Sequence, residues 1–203
     1  MTSARMRRSI FFLTLFTLVL LIPDTAIAYP GGTYGNHMWY KPGTSATGGT
    51  LYRYKSYTNS GSQQAGSGNG PNWNNPCVSF QGRLPNGWYN SANGHHINNK
   101  DNLIKGRVWG LTDKACSTGI LRTELFIHTE ETKNNGQDCP TSGDDPYCWE
   151  GASDFTSNGC VKVSHPEGVA TLHNWWHGAP VSGGHGLYYP IVLWVGTGYP
   201  PLE

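Results

Sequence analysis

Downstream of its N-terminal segment, the chain carries its apolar residues in short runs, and this pattern most constrains the fold. The runs cover residues 51–57, 77–80, 87–91, 106–111, 123–128 and 187–196. Gly, Asn, Ser, Thr and Pro separate them, and 58–76 is a polar loop segment rich in Gly, Ser, Asn and Gln, with little hydrophobic content. Short apolar runs bounded by turn-forming residues predict β-strands. We therefore expect one mainly β domain with long loops over residues 51–203, preceded by an extended leader over 29–50.

One segment predicts a short helix. Ser164 and Glu167 form a capping box, and Pro166 stands in the first turn, where its missing N–H costs nothing. The apolar residues that recur at helical spacing are Val169, Leu172 and Trp176. Gly178 is a natural stop for such a helix. The single expected helix thus follows the Gly159-Cys160 pair closely.

The N-terminal segment has the composition of a secretory signal peptide. Three arginines give it a basic start, residues 10–22 are almost entirely apolar, and 26–28 has the small-x-small pattern of a cleavage site. We predict a signal peptide over 1–28 that is cleaved after Ala28. An uncleaved membrane anchor is the alternative, although the apolar run is short for a span of about 20 residues.

Export has consequences for partners and compartment. No second long apolar segment follows the signal, so we expect no stable membrane insertion after cleavage and a location in the periplasm, the cell wall or the extracellular medium. The formal net charge of +1 gives no electrostatic basis for nucleic acid as a partner. Cysteines tend to pair in such oxidising compartments.

The five cysteines are Cys77, Cys116, Cys139, Cys148 and Cys160. An odd number leaves at least one thiol unpaired in a monomer. Cys139 and Cys148 bracket a turn segment that a local disulfide would close, and Cys77 and Cys116 each lie where a loop meets a strand-like run. We predict these two disulfides and a free Cys160, although sequence alone leaves other connectivities open.

The free thiol lies in a setting that favours reactivity. Gly159 has no side chain, so a substrate carbonyl can approach closely and backbone N–H groups can point at one spot, as in an oxyanion hole. His128 ends a strand-like run, and a histidine close to the thiol would lower its pKa and relay its proton. A buried, inert cysteine is the alternative interpretation of Cys160.

These residues occur in motifs that resemble the YkuD-type L,D-transpeptidase family. "IHT" followed by "SNGCVKVS" is similar to the family's strand-end His and its Ser/Thr-x-Gly-Cys turn. "GRLPNGWY" resembles the Gly-Pro-rich segment that precedes the His in compact members, and "LRTELFIH" resembles their His strand. The similarity extends over residues 51–196. It implies a β-rich thiol enzyme that acts on peptidoglycan stem peptides and needs no cofactor.

The resemblance also implies residue roles. Cys160 would be the nucleophile, His128 the base, and Thr129 would orient the imidazole through its backbone carbonyl. The N–H groups of Gly159 and Cys160 would form the oxyanion hole, and Ser157 and Gly159 would shape the nucleophile turn. The candidates for binding substrate are Arg122, Ser157, Asn158 and Lys162, of which Arg122 would hold a carboxylate or support the site. An inhibitor or immunity protein is a further partner compatible with this family.

The chain departs from the family pattern at several positions. Asn158 replaces a frequent His, Lys162 replaces Arg or Asn, and Arg83 stands where Pro is usual. His128 and Cys160 are 32 positions apart (160 − 128), a long gap that the insertion closed by the Cys139–Cys148 bridge would explain. These departures bear on substrate preference more than on the chemistry.

Two other classes of function, glycan binding and metal binding, are alternatives to the thiol-enzyme interpretation. Eight tryptophans could stack on sugars in a non-catalytic wall- or glycan-binding module. His173 and His177 are four residues apart on the expected helix, a two-ligand zinc spacing that His165, His185, His95 or His96 could complete. Calcium on Asp138, Asp144, Asp145 and Asp154 fits no EF-hand spacing. We expect no bound metal.

Overall fold

The computed structural model describes residues 36–55, 58–140, 145–177 and 192–200, and for residues 36, 91–96 and 98 it describes the backbone alone. The predicted signal peptide and its cleavage site lie outside the described residues. So do residues 29–35 of the expected leader and residues 187–191 of the last strand-like run. No helix in the described ranges is long and apolar enough to cross a membrane.

The described chain is mainly β with one α-helix. The strands are β1 Asn36–Lys41, β2 Gly49–Lys55, β3 Thr58–Gly66, β4 Gly87–Asp101, β5 Lys105–Leu111, β6 Lys114–Ala115, β7 Leu121–Arg122, β8 Phe126–His128, β9 Val161–Val163 and β10 Val192–Val195. The helix α1 spans Glu167–His177, and a 3₁₀ turn spans Ala152–Phe155. The expected β-rich fold with one short helix is confirmed.

Eight of these strands form one sheet that closes on itself in the order β1-β10-β4-β5-β8-β9-β3-β2, and β1 pairs with β2 to complete it. The β6 and β7 strands form a separate two-stranded ribbon. Most neighbouring strands are antiparallel, but β1 pairs with β10 and β8 pairs with β9 in parallel. The β8–β9 pair matters most here, because β8 ends at His128 and β9 begins directly after Cys160.

The core lies inside the closed sheet and under α1. Its largest fully buried apolar side chains include Trp109 and Tyr40. The helix contributes Val169, Leu172 and Trp176 to this core, so the helical spacing of these residues is confirmed. The helix begins at Glu167, and Ser164 accepts a backbone hydrogen bond from the N–H of Val169 at 2.9 Å.

Several strand predictions are confirmed. Residues 87–91 and 106–111 lie within β4 and β5, and residues 51–55 lie within β2. The 123–128 run forms a strand only from Phe126, because Glu124 has a positive φ of 54° that interrupts extended backbone.

Three other expectations about the chain are wrong. The leader interpretation fails from residue 36 onward, since Asn36–Lys41 pairs with both β2 and β10. The polar 58–76 segment begins with strand β3, whose pairing with β2 and β9 outweighs its weak strand propensity. Residues 77–80 form turns rather than a strand, and Phe80 has a φ of 61°.

Both predicted disulfides are present. Cys77 and Cys116 are joined with a Cα–Cα distance of 5.4 Å, and Cys139 and Cys148 with one of 4.9 Å. Cys160 is free and buried. Two disulfides in a chain of this size fit an oxidising extracellular environment. The Cys77–Cys116 bridge ties the 68–86 loop to the β6–β7 ribbon, and both segments support the turn that carries Cys160.

Candidate functional site

The parallel pairing of β8 with β9 brings the histidine strand next to the cysteine turn. Ile127 is in register with Val161, and His128 with Lys162. Cys160 precedes Val161 and is therefore beside Phe126, whose backbone forms a hydrogen bond to it. The sequence separation of Cys160 and His128 is thus bridged by one strand pair.

Cys160 and His128 line the same cleft, which has a volume of about 600 Å³. Among the residues expected at the site, Thr129, Ser157, Asn158 and Lys162 also line it, and Gly159 and Arg122 do not. We call this space the Cys160 cleft. A volume of this order suits a small molecule or a few residues of a peptide.

The imidazole of His128 is held in one orientation. Its Nδ1 lies 2.9 Å from the backbone carbonyl of Thr129, as expected, and a carbonyl can only accept. Nδ1 therefore carries the proton, which leaves Nε2 as the acceptor. Burial and then the charge of Lys162 lower the pKa of His128, the Thr129 hydrogen bond opposes them, and the resulting pKa is about 3. The ring is neutral at pH 7.

The thiol of Cys160 is also neutral. Burial and, to a smaller extent, the charge of Glu124 raise its pKa, and the resulting value is about 11. The Phe126 backbone and the charges of Lys162 and Arg122 act in the opposite direction without reversing it. The sulfur lies 3.7 Å from the carbonyl of Glu124, a weak contact for an S–H donor. The expectation that His128 lowers the thiol pKa is wrong for the protein alone, because both groups are desolvated together.

The hydroxyl of Ser157 organises the turn before Cys160. It donates to the carbonyl of Cys160 at 2.6 Å and accepts from the N–H groups of Gly68 and Gly159, each at 3.3 Å. The turn-shaping role expected of Ser157 is consistent with this geometry. The oxyanion role expected of the Gly159 N–H is not, because that N–H is directed at Ser157. The N–H of Cys160 stays the predicted donor.

Arg122 supports the turn from behind the cleft. Its guanidinium is buried and donates to four backbone carbonyls, at 2.7 Å to Pro76, 3.3 Å to Val78, 3.2 Å to Gly82 and 2.9 Å to Asn158. With its donors occupied in this way and no share in the cleft lining, Arg122 is not a substrate carboxylate ligand. It holds the 76–82 loop against the cysteine turn, which is the supporting role that the sequence left open.

Gly159 is required by this arrangement. Its φ is 120°, and a Cβ at this position would collide with Nη2 of Arg122. A side chain would therefore displace a guanidinium that four carbonyls hold in place. The glycine serves the packing of the turn, whereas the sequence suggested that it leaves room for substrate.

The other two expected substrate ligands have partners within the protein. The side-chain oxygen of Asn158 accepts from the amide of Asn69 at 2.6 Å. The ammonium of Lys162 forms an ion pair with Glu130, and both side chains are largely buried. Lys162 therefore acts on Cys160 and His128 through its charge, and it reaches a substrate only if it leaves Glu130.

Two cleft residues were not found from the sequence. Glu130 has no motif of its own, and only the β8–β9 register places it near Lys162. Glu124 contributes its carbonyl to the thiol and its charge to the pKa of the thiol. Its backbone has a positive φ of 54°, which the residue type Glu gives no reason to predict.

The metal alternatives receive little support. In the described ranges, one group of side chains has its possible ligand atoms close enough together to hold a metal ion. The group is Glu130, Glu150 and Asp154. One Glu130 oxygen pairs with Lys162, and Asp154 accepts from the N–H of Gly151 at 2.8 Å. The rings of His173 and His177 lie 4.2 Å apart, but they are not part of this group.

The tryptophans do not form an exposed sugar platform as a set. Trp109 is fully buried, and Trp39 and Trp176 are 8% exposed. Trp88 and Trp194 are half-buried, with ring centroids 5.1 Å apart. Most of these aromatic rings therefore stabilise the closed sheet and its helix. The glycan-binding alternative has no specific observation in its favour.

Comparisons of the chain with known protein families, with curated proteins and with solved structures find no match. The resemblance to the YkuD-type family thus depends on the quoted motifs alone.

Proposed function

We propose that the protein is a secreted cysteine enzyme that transfers or hydrolyses acyl groups of peptidoglycan stem peptides. The observation that carries this proposal is the pairing of β8 with β9, which brings the free thiol directly before β9 and the tautomer-fixed histidine at the end of β8 to the lining of one cleft. The four other cysteines are bridged, so Cys160 is the thiol left for chemistry. The motif resemblance supplies the substrate class.

The proposed reaction starts from a neutral pair. The sulfur of Cys160 attacks the carbonyl carbon of the peptide while its proton passes to Nε2 of His128. The tetrahedral oxyanion forms near the N–H of Cys160, and the C–N bond breaks as the amine takes the proton from His128. A thioester remains on Cys160. An acceptor amine resolves it by transpeptidation, or water resolves it by carboxypeptidase or endopeptidase action.

Mass spectrometry of purified muropeptides tests the proposal. Incubation with the mature protein should produce new cross-linked or shortened species, and the intact protein should gain the mass of an acyl group on Cys160. Cys160→Ala and His128→Ala should each remove this turnover. His177→Ala, which changes an exposed histidine outside the cleft, is the matched control and should be fully active.

Three outcomes would contradict the proposal. Full turnover by the Cys160→Ala protein would exclude the thiol as the nucleophile. If the unaltered protein left every muropeptide intact but bound purified walls, the non-catalytic binding module would become the better interpretation. If Cys160→Ala unfolded the protein, the cysteine would be a core residue rather than a reactive one, and far-UV circular dichroism detects this.

A further inference from the structure

The charges around the Cys160 cleft do not cancel. Lys162 is paired with Glu130. Two further lysines, Lys100 and Lys105, line the cleft from the β4–β5 hairpin. Within the described part of the chain, neither of them forms an ion pair with a carboxylate. Glu124 also lines the cleft, from the segment before β8, so the three lysines and two glutamates of the lining give a net charge of +1. The positive charge lies on the hairpin side.

Both ammonium groups are nevertheless held in place. Nζ of Lys100 lies 5.0 Å from the ring centroid of Phe126, and Nζ of Lys105 lies 3.9 Å from that of Tyr147. A cation over an aromatic face keeps its charge and can still direct N–H donors to an anion. The rings thus limit the freedom of two side chains that would otherwise lose much entropy on binding.

These contacts also fix where an anion would bind relative to the thiol. Phe126 begins β8, and its backbone forms a hydrogen bond to Cys160. Lys100 therefore lies over the residue that adjoins the nucleophile. Lys105 lies on β5, across the hairpin turn from Lys100, and is opposite Asp101 in the β4–β5 register. An acyl group at Cys160 would have its neighbouring groups within this positive region.

We infer that Lys100 and Lys105 determine specificity by binding a carboxylate of the peptide whose carbonyl is attacked by Cys160. This inference rests on the proposed function, and it adds that the preferred substrate is an acidic peptide with its carboxylates free. The partner chemistry is a carboxylate close to the reacting carbonyl. Amidation of that carboxylate removes the charge that the lysines bind.

The test separates binding from turnover. A synthetic stem tetrapeptide with free carboxylates, and the same peptide with its side-chain and terminal carboxylates amidated, are titrated into the Cys160→Ala protein by calorimetry. We expect the free peptide to bind about tenfold more tightly, since two partly exposed ion pairs each contribute a few-fold in affinity. The difference should shrink as ionic strength rises.

Variants assign the effect to the hairpin. Lys100→Met and Lys105→Met, singly and together in the Cys160→Ala background, should reduce the preference for the free peptide, and the double variant should bind both peptides alike. Lys133→Met is the matched control. It removes an exposed lysine that pairs with Asp101 and does not line the cleft, so the preference should remain.

Failure of this inference and failure of the proposed function have different signatures. Equal affinity for the two peptides, or a preference that survives in the double variant, would overturn the carboxylate inference while muropeptide turnover stayed intact. Absence of binding by either peptide would overturn it as well. Loss of the proposed function would instead appear as muropeptides that the unaltered protein leaves unchanged. Circular dichroism verifies that each variant is folded, and the single variants carry the test if the double variant is not.

Discussion

The pH dependence of Cys160 alkylation provides the sharpest test of the site as described. The thiol pKa is raised from an ordinary value of 9.0 to about 11, chiefly by burial. Because the thiolate is the species that reacts, two pKa units lower the reactive fraction about a hundredfold at any pH below 9. The folded protein should therefore react with iodoacetamide at least a hundredfold more slowly than the unfolded chain with both disulfides intact.

The assay follows incorporation of iodoacetamide by intact-protein mass spectrometry between pH 6 and 11.5. Restricted access to a thiol that is 8% exposed also slows the reaction, so the diagnostic quantity is the inflection of the rate against pH. The inflection should lie near pH 11 in the folded protein and near 9 in urea. Cys160→Ser should not react, which would show that the four disulfide-bonded cysteines do not contribute to the alkylation signal.

Lys162→Met gives a second reading of the same electrostatics. The positive charge of Lys162 lowers the pKa of Cys160, so its removal should move the inflection upward and slow alkylation further. A rate plateau that is already reached below pH 8 would refute the reasoning. It would mean that Cys160 and His128 form a thiolate–imidazolium pair in the protein alone, and that desolvation does not dominate the site.

Three further predictions concern stability and are measured by urea unfolding of the folded variants. Gly159→Ala should lower the free energy of unfolding by roughly 3 kcal/mol, because it adds positive-φ strain to a collision with Arg122. Gly119→Ala is the control. Its φ is 85° and no atom lies within 4 Å of the added Cβ, so it should lower the free energy of unfolding by only about 1 kcal/mol. Arg122→Met should cost about 3 kcal/mol by leaving carbonyls of the turn without donors, and an unchanged midpoint would contradict its supporting role. The pKa of His128 is lowered from 6.5 to about 3, so between these pH values the unfolded chain binds a proton that the folded protein does not. The free energy of unfolding should therefore fall by up to about 5 kcal/mol as the pH falls from 6.5 to 3. His128→Gln should lack this part of the acid destabilisation, and parallel pH profiles of the two proteins would contradict the prediction.

The sequence was informative where one local signal determined the outcome. The turn between Cys139 and Cys148 is short enough for a local bridge, and that disulfide is present. The periodic Val169, Leu172 and Trp176 predicted a buried helix face, and all three are buried. In both cases the information lies within about a dozen residues, so no knowledge of the distant chain is needed.

Other features depend on pairing between distant segments. The polar residues of β3 carry no strand signal, and they are extended because β2 and β9 lie on either side of them. The role of Arg122 depends on carbonyls as far away as Pro76, and the identity of Gly159 depends in turn on where that guanidinium lies. The neutral state of the thiol depends on burial, which a motif does not report.

The same burial reconciles a free cysteine with the oxidising environment that the two disulfides fit. Oxidation and disulfide exchange both require the thiolate, so a thiol with a pKa of about 11 is protected against both at neutral pH. An exposed, acidic Cys160 would attack the Cys77–Cys116 or Cys139–Cys148 bridge of the same or another molecule. In the proposed reaction, a neutral resting pair leaves activation to the moment when a substrate carbonyl reaches the sulfur and the proton can pass to Nε2 of His128. The desolvation that slows alkylation would therefore keep the nucleophile intact until its substrate binds.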